Sequence, residues 1–379
     1  MKGVAMRSLR FLGFVALTFL FMSGGPYLRG QAGVQVVKNP RKPVAVAGQP
    51  SSLTLKEDLV IGLTGESENE LFAQLQSVDI DDRENIWTLD RKDIKIRIFD
   101  KNGKPLITFG KQGQGPNELQ TPFRMLIKRD GTAAIMDTGK LAYYAIDGTC
   151  VKEFSMARIR SFRIAYDSQG LIYLDSMDFA VDPATRTSKR VYKITKFDAE
   201  LNPLKVFAIA EDTAAIGNMS VFTPTLYFQV TSKDRIIWAF GEKAPYEFNV
   251  MNSEGQAVQK ITKDYEPRKI TATEEKALMG DRFGNQLPPG IKATFPASYP
   301  PLGRFLTGDD DRIYARTMEP DGKGGTWIDI FEPEGRYITR TALPEKEIIF
   351  GIKRDKLYVI LPEDAEGRPL VKRYAMIWK

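Results

Sequence analysis

The feature that most constrains this chain is an internal repeat of four short strands, which recurs along most of its length. In the clearest copy, segments 75–80, 86–90, 94–100 and 105–109 each alternate apolar and polar residues. Alternation with a period of two predicts β-strands, and the Asn102-Gly103 pair between the last two predicts a tight hairpin turn. Further copies begin near residues 123, 162, 226 and 304. The sequence therefore predicts a chain of four-stranded antiparallel units.

The last copy is incomplete, and its missing strand is available at the other end of the chain. Segments 348–352, 356–361 and 371–378 supply three strands, whereas segments 53–55 and 59–61 precede the first copy without a unit of their own. A strand borrowed from the N-terminus would complete the unit and leave no open edge. We therefore predict an all-β fold: a six-bladed β-propeller of four-stranded antiparallel blades over residues 51–379, closed by an N-terminal strand that completes the last blade.

One insertion, residues 263–301 between blades 4 and 5, differs from the repeat. Thr271 and Glu274 have the spacing of a capping box, which predicts a short helix ended by Gly280. The Pro-rich segment after it, which includes Tyr299, predicts an extended strap. The strap could form a lid or a partner-binding edge, or it could be a linker packed against blades 4 and 5.

Residues 1–32 read as a signal peptide. Lys2, Arg7 and Arg10 form a basic start, and the apolar run 11–22 is too short to span a bilayer. We expect cleavage between Ala32 and Gly33, no lipoprotein anchor, and a periplasmic or extracellular protein without a transmembrane anchor; an uncleaved leader is the alternative. Residues 33–50 then form a flexible linker.

The composition excludes several classes of function. Removing residues 1–32 takes away four basic residues and no acidic ones, so the net charge falls from +6 to +2 and predicts no nucleic-acid partner. Cys150 is the only cysteine, so no intramolecular disulfide can form. The chain has no histidine, which excludes Ser-His and Cys-His mechanisms and His-ligated zinc.

Blade 1 and its exit loop carry a recognisable pattern. Asp79-Ile80-Asp81 leads to Asn85-Ile86-Trp87 and then to a Gly-rich loop from Gly113 to Glu118. This pattern resembles exported bacterial six-bladed propellers related to NHL-repeat proteins. The loop departs from the usual Gly-x-Gly-Pro-Gly-Glu-Phe at Asn117 and Leu119, although Asn tolerates positive φ. The resemblance implies the fold more than a function, because most members have no assigned activity.

Loop lengths predict which face of the disc carries a ligand. Turns after the first and third strands are short, whereas segments 110–122, 176–190, 211–224, 263–301, 318–325 and 362–369 are long and share the other face. Long loops on a rigid scaffold usually carry binding. Arg124, Arg163 and Arg304 begin first strands at this long-loop face, and we predict that they hold an anionic group at the channel mouth.

Two alternatives bear on these candidate site residues. The arginines could instead pair with Asp90, Asp137 and Asp175, which end second strands on the same face. The Gly-rich loop, with Gln114 and Glu118, could offer backbone N–H groups to an anion, or it could be a plain crossover between blades 1 and 2.

Two classes of function remain open. The first is a non-catalytic binding module for a protein, peptide or glycan, which needs no cofactor. The second, implied by gluconolactonase-like propellers, is a calcium-assisted hydrolase with oxygen ligands. We expect the acidic clusters 79–84 and 309–311 to be solvated turns rather than metal sites, because they lack the Gly of a calcium loop. We favour the binding module, since no base or nucleophile stands at a recognisable spacing.

Overall fold

The computed structural model describes residues 33–63, 71–243, 245–284, 287 and 289–379. The predicted signal peptide, residues 1–32, lies outside the described residues. Strands β1 (Gln35–Asn39) and β2 (Leu53–Ile61) come first and are followed by six sheets in chain order.

Six antiparallel sheets follow one another along the chain, and each is a blade that begins with its inner strand. Blade 1 contains β3 (Leu75–Ile80), β4 (Ile86–Asp90), β5 (Lys95–Phe99) and β6 (Pro105–Phe109); blade 2 contains β7 (Arg124–Ile127), β8 (Ala133–Asp137), β9 (Lys140–Tyr144) and β10 (Cys150–Ser155); blade 3 contains β11 (Ile164–Tyr166), β12 (Ile172–Asp182), β13 (Thr187–Phe197) and β14 (Pro203–Ala215).

The second half of the ring repeats this order around one insertion. After β15 (Asn218–Ser220), blade 4 contains β16 (Thr225–Val230), β17 (Ile236–Gly241), β18 (Glu247–Met251) and β19 (Ala257–Lys263); helix α1 (Ala272–Phe283) and β20 (Lys292–Thr294) follow; blade 5 contains β21 (Leu302–Thr307), β22 (Ile313–Pro320), β23 (Gly325–Phe331) and β24 (Tyr337–Pro344); blade 6 contains β25 (Ile348–Lys353), β26 (Lys356–Leu361) and β27 (Leu370–Trp378).

The blades form a closed ring. Strand β2 pairs antiparallel with β27, from Leu53 opposite Trp378 to Ile61 opposite Val371, and completes blade 6. The inner strand β25 of blade 6 in turn contacts β3 of blade 1. The predicted six-bladed propeller and its closure by an N-terminal strand are therefore confirmed.

The core lies between the blades. Each of six clusters of buried apolar side chains combines residues of two neighbouring blades, such as Trp87 and Ile96 of blade 1 with Ile135 and Tyr144 of blade 2. Because each blade packs against a neighbour on both faces, its central strands have no solvent-exposed side. Strands β4 and β8 are buried at every residue. This arrangement explains why second strands read as largely apolar runs.

The segment predicted as a flexible linker, residues 33–50, is instead part of the folded ring. Strand β1 pairs in parallel with β19 and adds a fifth strand to blade 4. The buried Asn39 side chain donates to the carbonyls of Thr262 (3.1 Å) and Gly335 (2.9 Å) and accepts from the Tyr337 amide (2.7 Å). The linker prediction was wrong because β1 is a single edge strand. Its structure depends on pairing with β19, which is distant in sequence, and not on a pattern within residues 33–50.

The insertion contains the predicted helix and a paired strap. Thr271 caps α1 in the capping box with Glu274, as predicted. The helix does not end at Gly280, however, but continues to Phe283, and Gly284 ends it with φ 63°. An isolated glycine inside a helix costs only about 1 kcal/mol, so the helix continues through it. Strand β20 of the strap pairs in parallel with β15, which tethers the strap to the blade 3 to blade 4 connection.

Blade 3 departs from the others at its second hairpin. Segment 176–190, expected to be a loop, instead continues β12 and β13, which pair without a bulge from Ile172–Phe197 to Asp182–Thr187. Strand β14 accompanies them to Ala215. Since β11 has only three residues, the three longer strands project as a ribbon beyond the long-loop face. Residues 177–182 do alternate, but their apolar side chains are exposed, so the pattern does not mark a buried face.

Candidate functional site

The centre of the ring holds a cavity of about 870 Å³. The inner strands of all six blades contribute to its lining, those of blades 2 to 5 most. Side chains at the start of these strands reach one end, and the short turns after them reach the other. The four residues of β7 span about 13 Å between the two ends at roughly 3.3 Å per residue. Arg124, Arg163 and Arg304 all line this cavity near the long-loop face.

Among the described residues, two of the three arginines have no hydrogen-bonded or salt-bridged partner. Within the described ranges, Arg124 and Arg304 form no salt bridge and donate no side-chain hydrogen bond, and the Nε atom of each is buried and unpaired. Arg163 differs, because its Nη1 lies 3.2 Å from a carboxylate oxygen of Asp175. Buried cationic groups are normally paired, so unpaired guanidinium groups in one cavity are consistent with a site for an anion.

The three positive charges also act on one another. Burial, together with the positive charges of Arg124 and Arg163, lowers the pKa of Arg304 to about 10. Burial likewise lowers the pKa of Arg124, and the charge of Arg163 adds to this effect. An anion bound among them would remove this repulsion.

Aromatic side chains surround the arginines. The guanidinium carbon of Arg163 lies 4.3 Å from the ring centroid of Tyr227, and that of Arg304 lies 5.5 Å from that of Phe350. Stacking on aromatic faces fixes a guanidinium plane without using its N–H groups. Sequence reasoning missed both aromatic residues, and their only signal was the inward alternation of the first strands.

Asp79 is the carboxylate whose charge acts most strongly on Arg124, but its hydrogen bonds go to backbone amides. Asp79 accepts hydrogen bonds from the amides of Ile80 (2.8 Å) and Ile127 (2.6 Å). Burial raises the pKa of Asp79, although these bonds and the charge of Arg124 act in the opposite direction. The Asp79 carboxylate therefore holds blade 1 against blade 2 rather than neutralising an arginine directly.

Asp90, Asp137 and Asp175 cap the backbone where the chain enters each blade. Asp90 accepts from the amides of residues 73 and 74, Asp137 from those of residues 120 and 121, and Asp175 from those of residues 162 and 163. Of the arginine–aspartate pairs considered from sequence, the described residues contain only Arg163–Asp175. The repeated aspartate is therefore a structural element of blades 1 to 3.

The structure does not bring Gln114, Glu118 and Tyr299 to the cavity. Glu118 accepts from the Gly115 amide (3.0 Å) and from Lys111 (2.6 Å), so it closes its own loop. Gln114 is exposed on that loop. Tyr299 stacks on Arg268 at 3.8 Å, beside a separate cavity of about 30 Å³ between blades 4 and 5.

Contacts between short turns link neighbouring blades at the other end of the cavity. Ser168 donates through its amide (2.7 Å) and hydroxyl (2.6 Å) to Asp234, and Ser232 donates in the same way to Asp311 (2.8 and 2.6 Å). Asp234 and Asp311 both have positive φ, which aims them at the preceding blade. The cluster 309–311, expected to be solvated, thus locks neighbouring blades together.

Across the part of the chain that the structure describes, no group of three or more His, Cys, Asp or Glu side chains could hold a metal ion. Asp81, in the other acidic cluster, is occupied by the amides of Arg83 and Asn85 and by the indole of Trp87. No described helix is long and apolar enough to cross a membrane.

A family profile matches the chain over residues 60–271; the family is DUF5128, described as a 6-bladed beta-propeller. The match covers more than half of the chain. The chain belongs to this family of six-bladed propellers. The more specific relationship to NHL-repeat proteins stays a prediction. No curated protein matches the chain significantly.

Solved structures share the fold at low identity. A Bacteroides fragilis protein thought to be exported has a TM-score of 0.55 at 10% identity, over 90% of this chain and 100% of its own. A member of the duf4221 family from Bacteroides vulgatus has a TM-score of 0.55 at 12% identity, over 87% and 100%. A gluconolactonase from Xanthomonas campestris has a TM-score of 0.45 at 8% identity, over 89% and 99%. The first two support the fold alone, and the third is too distant to support any argument.

Proposed function

We propose that this six-bladed propeller is an exported, non-catalytic binding module that holds a small anionic group, a carboxylate or a phosphate, between Arg124, Arg163 and Arg304. The single observation that carries this proposal is the presence of three guanidinium groups in one cavity, two of them without a partner among the described residues. A guanidinium fork matches both anions in shape and charge.

Several features favour binding over catalysis. The chain has no histidine. The arginines remain protonated near neutral pH, even with the pKa of Arg304 at about 10, so they cannot serve there as general bases. The cavity supplies charge and aromatic surface, which fix an anion in place.

Export is the second part of the proposal. It rests on the basic start and apolar run of residues 1–32, and on the structural likeness to a Bacteroides fragilis protein thought to be exported. N-terminal sequencing of the protein recovered from the periplasm or the medium tests it, and we expect the mature chain to begin at Gly33.

Thermal shift measurements with simple anions test the binding proposal. We expect phosphate, succinate or citrate to raise the Tm of the mature protein in low-salt buffer, and Arg124→Gln to abolish most of this rise. Arg158→Gln is the matched control, because Arg158 is exposed, makes no salt bridge or side-chain hydrogen bond within the described ranges, and does not line the cavity. Equal responses of the two variants, or no response of the wild type to any anion, would refute the proposal.

A further inference from the structure

The ribbon of blade 3 leaves one strand edge open above the cavity. Strand β12 runs from Ile172 to Asp182, but its inner neighbour β11 pairs only with Ile172, Tyr173 and Leu174. Among the described residues, nothing pairs with the backbone of residues 176–182 on that side. An unprotected strand edge is a ready template for another strand.

The direction of the backbone groups on this edge follows from one hydrogen bond. The Asp175 amide points toward β11, since it donates to the Arg163 carbonyl at 3.4 Å. Alternate residues of a strand direct their backbone groups to the same side. Because β12 and β13 pair without a bulge, Met177, Phe179 and Val181 present their N–H and C=O groups to the open side.

The side chains of the same three residues are unusually exposed for apolar groups. Met177 is 46% exposed, Phe179 60% and Val181 51%, and all three share one face of the strand. Apolar side chains spaced by two along an open edge offer contacts to the alternate side chains of an added strand. Backbone pairing and side-chain contacts are thus available together over seven residues.

This edge leads directly to the arginines. It begins at Ser176, next to the Asp175 that pairs with Arg163 through both backbone and side chain. Strand β11 runs from the long-loop face into the ring, so a strand added antiparallel to β12 would run in the same direction and end at Arg163. The terminal group of such a strand would enter the cavity.

We infer that the anion bound by the arginines is the C-terminal carboxylate of an extended peptide, whose preceding residues pair with β12 at residues 176–182. This inference rests on the proposed anion site. Strand addition combined with capture of a terminal carboxylate is an established mode of peptide recognition. The positive cavity fixes the direction of the peptide, because only its C-terminal end carries the complementary charge.

Lys379 is not the occupant. The carbonyl of Lys379 accepts from the amides of Ser51 (2.8 Å) and Ser52 (3.2 Å) beside blade 6, so it is held at the rim of the ring. A second copy pairing edge to edge would bring no terminal carboxylate to the arginines, because its own Lys379 is held at the rim in the same way. A peptide from another protein avoids both problems.

Binding of synthetic peptides tests the inference. The probe is a mixture of hexapeptides labelled with fluorescein at the N-terminus, randomised at each position and ending in a free carboxylate, compared with the same mixture ending in an amide. We expect the acid form to bind at least tenfold more tightly by fluorescence anisotropy. Methylation of alternate backbone nitrogens should weaken binding at least fivefold, because it removes the hydrogen bonds to β12 without changing the protein.

Protein variants separate the two parts of the site. Arg163→Gln should reduce the preference for acid over amide, and Met177→Pro should weaken both forms, since the lost N–H faces the open side. Val206→Ala on the exposed outer strand of the same blade is the control and should bind as the wild type does. If the wild type binds no peptide and sediments as a dimer, the edge is occupied by a second copy and the peptide inference is wrong.

The outcomes distinguish this inference from the proposed function. If phosphate or succinate raises the Tm but peptides bind no more tightly than succinate, the anion site stands and the peptide inference is wrong. Equal binding of acid and amide peptides would also overturn it. If no anion and no peptide binds, both proposals fail.

Discussion

Replacing Arg304 with methionine should stabilise the unliganded protein while removing its response to anions. Arg304 lies in the cavity with Arg124 and Arg163, its Nε is unpaired, and its guanidinium lies over Phe350. Methionine keeps a similar length and makes favourable contacts with an aromatic ring. The substitution therefore removes the cost of burying a charge, together with the repulsion from Arg124 and Arg163, without leaving a large hole.

The lowered pKa sets the scale of the effect. The fall of the Arg304 pKa from its ordinary value to about 10 favours the neutral form by about 3 kcal/mol. Solvent in the cavity screens part of this, so we expect a gain of about 1–2 kcal/mol for Arg304→Met. For a chain of this size that corresponds to a Tm increase of roughly 2 °C.

The assay is thermal unfolding in low-salt buffer, with and without citrate, for the wild type, Arg304→Met and the control Arg158→Met. We expect the stabilisation of Arg304→Met to shrink in about 1 M NaCl, where the Debye length is near 3 Å. A saturating anion at 100 times its Kd should stabilise the wild type by about 2.7 kcal/mol and the Arg304 variant much less. A destabilised Arg304→Met, or an undiminished citrate response, would refute the reasoning.

Three further predictions follow from individual contacts. Asn39→Ala should destabilise the protein by about 1–3 kcal/mol in urea unfolding, because it leaves the Tyr337 amide and the Gly335 carbonyl buried without partners, whereas the exposed Lys38→Ala should change little. Burial raises the pKa of Asp79, so the charged carboxylate costs stability as the pH rises above the pKa of an aspartate in the unfolded chain, about 3.9. The stability of Asp79→Asn relative to the wild type should therefore increase as the pH is raised from about 4, and a difference that does not change with pH would contradict this. Calcium titration by calorimetry should give no heat and no change in Tm, and a clear binding isotherm would instead favour the calcium-assisted hydrolase.

The candidate site was only partly predictable. The position of Arg124, Arg163 and Arg304 in the channel followed from their place at the start of first strands, where the repeat fixes the direction of the chain. The role of Asp90, Asp137 and Asp175 did not follow, because a carboxylate near an arginine in the repeat can equally accept backbone amides. Tyr227 and Phe350 were missed because no local pattern separates a cavity-lining aromatic residue from a core one.

The sequence by itself determined the architecture. Period-two alternation, turn residues and a last unit one strand short specify six antiparallel blades and their closure by β2, since each signal depends on residues close together in the chain. Only the tertiary structure decided that β1 joins blade 4, that β12 and its neighbours form a ribbon, and that Asp234 and Asp311 link adjacent turns. These features depend on backbone groups and charges that are far apart in the sequence. They come into contact only when the ring has folded.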